Sequence, residues 1–287
     1  MHLFTRNLKI RWLYTPGATI WRVHPAVRGR ILGEERDLER KQVSFFALDM
    51  ATGAVLWHRP GVGDPWWVGM NRVAGDLLFV HGFATPDLPV QRGVTVIAAA
   101  TGEHLWSRTE WSIERVDEAS LIVREDRPGG SVLLAVDSTT GSVLNENVAS
   151  DGNVQLPEDP LAAVEFPALL SGAEVQERRS GEFVARQWAV DRLAGPIELL
   201  EQPALVLMAA NERKGEEAGG RLVHHLRVVK RDTGRVVYRD ILAASATGPG
   251  MDAFFVQDNA LVYVRERRTL CAVSLGEQTG ETALPPG

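Results

Sequence analysis

The residues able to do chemistry in this chain are few and scattered. The seven histidines are His2, His24, His58, His81, His104, His224 and His225, and no spacing among them is that of a zinc site. His224 and His225 are neighbours in a strand-like run, so their side chains point apart and do not chelate one metal. The single cysteine, Cys271, excludes a cysteine-based zinc site and an intramolecular disulfide. Within RRTLCAVSL it reads as a buried small hydrophobe rather than a nucleophile. Carboxylate pairs such as Glu34/Asp37 and Glu216/Glu217 lie in hydrophilic stretches, where nothing lifts a carboxyl pKa toward neutrality for acid–base work. There is no phosphate-cradling glycine motif, no G-x-S-x-G and no H-E-x-x-H. The expectation is no catalytic residue, no metal and no cofactor.

Binding is the chemistry that remains, and three segments carry it. Asp64-Pro65-Trp66-Trp67 sets two tryptophans side by side; adjacent strand residues face opposite ways, so one packs inward and the other faces out. His81-Gly82-Phe83 leads into Pro86-Asp87-Leu88-Pro89, a loop stiffened by two prolines and suited to docking. Gly33-Glu34-Glu35-Arg36-Asp37 ends a strand, and Arg22 lies in the strand before it, so Arg22 with Glu34 or Asp37 makes an ion pair or polar pocket. The candidate binding residues are therefore Arg22, Glu34, Asp37, Asp64, Trp66, Trp67, His81 and Asp87. Each segment also has a plain structural reading: wedge-filling tryptophans, a solvated loop, a solvated hairpin tip.

The bulk numbers exclude some partners. A net charge of −6 with scattered basic residues argues against nucleic acid. No segment approaches 18 apolar residues, which argues against a membrane span. The start, MHLFTRNLKIRWLY, has no signal-peptide pattern. With the lone cysteine, that predicts a cytoplasmic protein.

The elements that position these residues come from a repeat. Thr-Gly recurs at 52–53, 101–102, 140–141, 233–234 and 279–280. The clearest copies are FFALDMATGAVLW (45–57), TVIAAATGEHLW (95–106) and LLAVDSTTGSVLN (133–145). WAVDRLAGPIEL (188–199) is a degenerate copy, with Gly195 in the glycine phase. The six glycines are spaced by 49, 39, 54, 39 and 46 residues, near the length of a four-stranded β-propeller blade. In each copy a β-rich run leads to Asp and Thr side chains that bond a tight turn. Gly supplies the positive φ. The next strand ends in Trp57, Trp106 or Tyr238, large enough to fill the wedge between blades.

The Asp-x-x-Thr-Gly-x-x-x-Trp unit resembles the repeat of quinoprotein-like (PQQ-like) β-propellers. The match is best at Asp49/Thr52/Gly53/Trp57; Asp137/Thr140/Gly141 have Asn145 for the Trp, and Thr101/Gly102/Trp106 have Ala98 for the Asp. GEERDLERKQVSFFALDMATG, DPWWVGM and VHGFATPDLPVQRG also resemble a family of uncharacterised bacterial proteins, which implies a fold and no mechanism. A quinone-dependent dehydrogenase is not implied. Those enzymes look eight-bladed and exported, use calcium and often have vicinal cysteines, whereas this chain is short with one cysteine.

The expected fold is all-β: one propeller domain over residues 1–287, six four-stranded blades, with five or seven the alternatives. Trp12 precedes Trp57 by 45 residues, so residues 8–14 complete the last blade beside strands near 253–256, 260–265 and 269–275, leaving 277–287 as a tail. Thr-Gly turns join third and fourth strands at one end. The long connections 36–42, 83–92 and 212–220 join second and third strands at the other, with 58–65 and 246–251 between blades. The expected function is a non-catalytic scaffold or accessory subunit that binds an unknown protein partner through that long-loop face. The alternative is a small-molecule ligand, or an enzyme, at the mouth of the central channel.

Overall fold

The computed structural model describes residues 8–85, 88–116, 120–148, 164–178, 181–214 and 221–276. The chain divides into two compact units, residues 16–163 and residues 1–15 with 164–287. Strand β1 (Lys9–Tyr14) belongs to the second of these.

The 16–163 unit holds three antiparallel sheets, each a simple meander. The first is β2 (Thr19–Ala26), β3 (Arg30–Asp37), β4 (Gln42–Asp49) and β5 (Val55–Pro60). The second is β6 (Val68–Ala74), β7 (Leu77–Thr85), β8 (Leu88–Ala98) and β9 (His104–Arg108). The third is β10 (Trp111–Val116), β11 (Ser120–Arg127), β12 (Gly130–Asp137) and β13 (Val143–Glu146). Alternate residues of β4, such as Val43, Phe45 and Ala47, face Val68, Met70, Leu78 and Val80 of the second sheet. Phe79, Val94 and Val96 of the second sheet face Leu121, Val123 and Leu134 of the third. The second sheet is thus packed against the first on one side and the third on the other.

In this unit the Thr-Gly turns join third to fourth strands, as the repeat predicts. Asp49 Oδ1 accepts from the Thr52 N–H (2.8 Å) and hydroxyl (2.6 Å). The Gly53 N–H donates to Asp49 O at φ 72. Asp137 and Thr140 repeat this pattern. At residues 98–102 Ala98 cannot, and the turn keeps the Gly102 N–H to Ala98 O bond without the side-chain acceptor. The aromatic residue four positions after the glycine then reaches the next sheet. Trp57 Nε1 donates to Ala99 O (2.9 Å) and Trp106 Nε1 to Ser138 O (3.0 Å).

In the other unit, β14 (Ala168–Leu170), β15 (Leu193–Glu201), β16 (Leu205–Arg213), β17 (Leu222–Lys230) and β18 (Val236–Ala246) form one five-stranded sheet. Two short helices, α1 (Gly172–Glu177) and α2 (Gly181–Gln187), interrupt it; Val175, Val184 and Trp188 pack on one face. This corrects the expectation of separate glycine phases at Gly195 and Gly234. Gly195 (φ 74) is no hairpin turn but part of a bulge in β15 between Ala194 and Glu198, where Pro196 has no N–H for the ladder. The described residues thus form five sheets, where six blades are expected. The last holds β19 (Phe254–Gln257), β20 (Ala260–Arg265) and β21 (Thr269–Ser274), with β1 paired to β21. A strand from the N-terminal end therefore completes a sheet of the C-terminal end, as the Trp12 spacing predicts. The expected tail, 277–287, lies outside the described residues.

Candidate functional site

Local backbone geometry first separates Trp21 from the ladder. Ile20 pairs with Glu35 and Arg22 with Glu34, so Trp21 is the extra residue of a bulge. The bulge leaves Trp21 43% exposed. Two residues apart on β3, Glu34 and Arg36 share a face. Their side chains meet: Arg36 Nε donates to Glu34 Oε1 (2.7 Å). Glu34 is 1% exposed, and its Oε2 accepts from the Met70 N–H (2.7 Å). Arg36 Nη2 donates to Val68 O (2.8 Å). The guanidinium lies 5.1 Å from the Trp21 ring centroid and 5.2 Å from that of Trp66, so it is held between two indoles. Lys41 approaches Trp66 at 4.8 Å.

His81 of β7 joins the same cluster. It is 4% exposed, 4.9 Å from Phe83 in an edge-on contact. A Cβ on Gly69 would stand 3.2 Å from its ring and 3.3 Å from Arg36 Nη2, so the glycine permits the close approach. Burial pushes the His81 pKa down to about 4, helped by the charges of Arg22 and Arg36. His81 is therefore neutral at physiological pH and no proton donor. Its Nδ1 is buried without a hydrogen-bond partner among the described residues.

The structure brings together Arg22, Glu34, Trp66, Trp67 and His81, and separates the rest. Arg22 makes neither expected ion pair; its Nη1 donates to Met70 O (2.8 Å), while Arg36 takes the carboxylate of Glu34. Asp37 caps its own hairpin by accepting from the Glu39 and Arg40 N–H groups (3.0 and 2.9 Å) and pairs with Arg40. Those bonds, that of Arg40 foremost, hold its carboxyl below the usual range. Asp64 is a turn former: its Oδ1 accepts from the Trp66 and Trp67 N–H groups (2.8 and 2.6 Å). Trp66 packs against the core, while Trp67 is 37% exposed with its ring 6.3 Å from Phe83. Asp87 lies outside the described residues. The 83–92 stretch is not the expected open loop: β7 and β8 run through most of it as a hairpin.

Sequence reasoning missed Arg36 and Trp21. The signal for Arg36 was its i+2 spacing from Glu34 in a strand. Nothing local marks Trp21, because a bulge is fixed by the partner strand.

Every charge in the cluster is engaged, and what faces water is Trp21, Trp67, Arg22 and Lys41. The first three lie near the start of β2, the end of β7 and the link before β6, the end of the sheets opposite the Thr-Gly turns. The arrangement can hold a ligand against indoles and a guanidinium. Among the described residues no group of three His, Cys, Asp or Glu side chains could hold a metal ion.

The other unit has its own buried polar row. Glu198 is 2% exposed; its Oε2 accepts from the Ala253 N–H (2.8 Å) and its Oε1 has no partner among the described residues. Burial, with Asp252 nearby, lifts its pKa to about 7. Asn211 exchanges hydrogen bonds with the backbone of Gly250.

Against known proteins, residues 27–106 match a family described as "Domain of unknown function (DUF4905)". The comparison with curated proteins found no match. Among solved structures, the β-propeller domain of the Trilobed protease from Pyrococcus furiosus is similar at 9% identity and TM-score 0.32, over 86% of this chain and 78% of that one. Kuenenia stuttgartiensis hydrazine synthase aligns at 12% identity and TM-score 0.26, over 82% of this chain and 58% of that one. An acylaminoacyl peptidase from Pyrococcus horikoshii aligns at 9% identity and TM-score 0.29, over 92% of this chain and 39% of that one. At these levels no activity carries over.

Proposed function

We propose that the sheets are blades of one β-propeller of the PQQ-like repeat kind, and that the protein is a non-catalytic scaffold. Its partner is a protein, bound at the end of the first two sheets. The observation that carries this reading is the exposure of Trp21 and Trp67, at 43% and 37%, with Trp21 against the guanidinium of the locked Arg36–Glu34 pair and Trp67 against Phe83. Tryptophan and arginine are the residues that most often dominate binding energy at protein interfaces. A surface fixed in advance by buried hydrogen bonds loses little side-chain entropy on binding. The neutral His81 supports binding over acid–base catalysis.

The test is capture of a partner from the source cells with the tagged protein, then isothermal titration of the purified pair. Trp21→Ala combined with Trp67→Ala is expected to weaken binding at least about tenfold while the thermal midpoint stays near wild type. A partner that binds the double variant as tightly as wild type would remove this surface from the proposal.

A further inference from the structure

The first sheet carries a cleft of about 270 Å³ that is separate from the tryptophan surface. Glu35, Asp37, Gln42, Ser44 and His58 line it, with the backbone at Gly17. Register explains the convergence. Glu35 pairs with Ser44 and Ser44 with Pro60, while His58 is two residues back on β5, so all face the same side. The carboxylate of Glu35 is the unusual group. Its side chain is 8% exposed, and Oε1 accepts from His58 Nε2 at 2.7 Å. Its Oε2 is buried with no partner among the described residues. A buried carboxylate oxygen left without a donor is costly, and a donor that reaches it recovers that cost.

The surroundings select the donor. Two carboxylates, Glu35 and Asp37, face one guanidinium, that of Arg40, which Asp37 already holds at 3.1 Å. The imidazole of His58 donates Nε2–H to Glu35 and is 43% exposed, tethered by that bond, so it can swing aside. The space suits a single alkyl chain rather than a polypeptide segment.

We infer that this cleft binds a primary alkylammonium group, whose N–H donors go to Glu35 while His58 yields its place. The chemistry is shared by free amines and by the lysine side chain of a peptide, and it is independent of the tryptophan surface.

The test is an NMR titration of the full chain, following the His58 ring signals. One arm uses n-butylammonium chloride and the other an N-acetylated tetrapeptide with one lysine, at constant ionic strength. A saturable shift in either arm is expected, and the arm that saturates identifies the source. Glu35→Gln should weaken binding at least about tenfold. Gln42→Lys, an exposed change that sets a tethered ammonium in the cleft, should do the same while Glu35 itself stays unsubstituted. Butanol and tetramethylammonium, which lack charge and N–H respectively, should not saturate. The inference is overturned if neither arm saturates, if both variants bind like wild type, or if tetramethylammonium binds as well as butylammonium.

Discussion

A Cβ added to Gly102 would stand 2.7 Å from the ring of Trp57, so the indole of one sheet lies directly on the bare backbone of the next sheet's Thr-Gly turn. Trp106 repeats the relationship on Gly141, at the same 2.7 Å. The Thr-Gly unit thus serves twice: it turns its own chain and is the seat for its neighbour's tryptophan.

Emptying that seat should be expensive. Trp106 is 6% exposed, and Trp106→Ala should cost about 3–5 kcal/mol in urea unfolding. Trp106→Phe keeps most of the packing but loses the Nε1–Ser138 bond, and should cost about half as much or less. Gly102→Ala meets both the Trp57 ring and φ 73, so it should destabilise by more than about 1 kcal/mol. An alanine there as stable as wild type would contradict the seating.

The Glu34–Arg36 pair should behave as a unit. Glu34→Gln leaves Arg36, 11% exposed, without its counter-charge and should cost about 3 kcal/mol or more. Arg36→Met with Glu34→Gln should cost less than the sum of the two single changes. A coupling energy of at least about 1 kcal/mol in that double-mutant cycle is the expected reading, and additivity would count against the pair.

Acid should destabilise the 16–163 unit through His81. Its folded pKa, about 4, lies below the ordinary 6.5, so the unfolded chain binds the extra proton between those values. Its contribution is present above pH 6.5 and is lost as pH falls through about 4. His81→Gln should flatten the stability profile in that window, and NMR should find the His81 ring still neutral at pH 5.5.

Glu198 should act in the opposite sense. Its folded pKa, about 7, lies above the ordinary 4.5, so its contribution is present below pH 4.5 and is lost as pH rises through 7. Glu198→Gln keeps an acceptor for the Ala253 N–H without the charge. The variant should be more stable than wild type at pH 8, by about 1–3 kcal/mol, and no more stable at pH 4. Equal stability of the two at pH 8 would show that Glu198 does not ionise at a cost.

Much of the site was legible as residue types but not as partnerships. Arg22, Glu34 and His81 were marked from the sequence, and they do meet. Their bonds differ because Arg22 finds a backbone carbonyl at hand and Arg36 is already beside Glu34 on its strand. The capping of α1 was also written locally: Ser171 and Glu174 bond reciprocally across the first turn.

The sequence by itself determined the Thr-Gly turns, the alternation of the strands they join and a large aromatic, Trp57 or Trp106, four residues after the glycine. It also determined the return of β1 to β21. Each of these rests on spacing and side-chain chemistry within a few residues, or on a repeat whose period is visible. Only the tertiary structure decided that 164–246 builds one five-stranded sheet, that Trp21 bulges outward, and which donor each buried carboxylate receives. Those outcomes depend on what the neighbouring strand offers at a given height, and register is a property of two strands together.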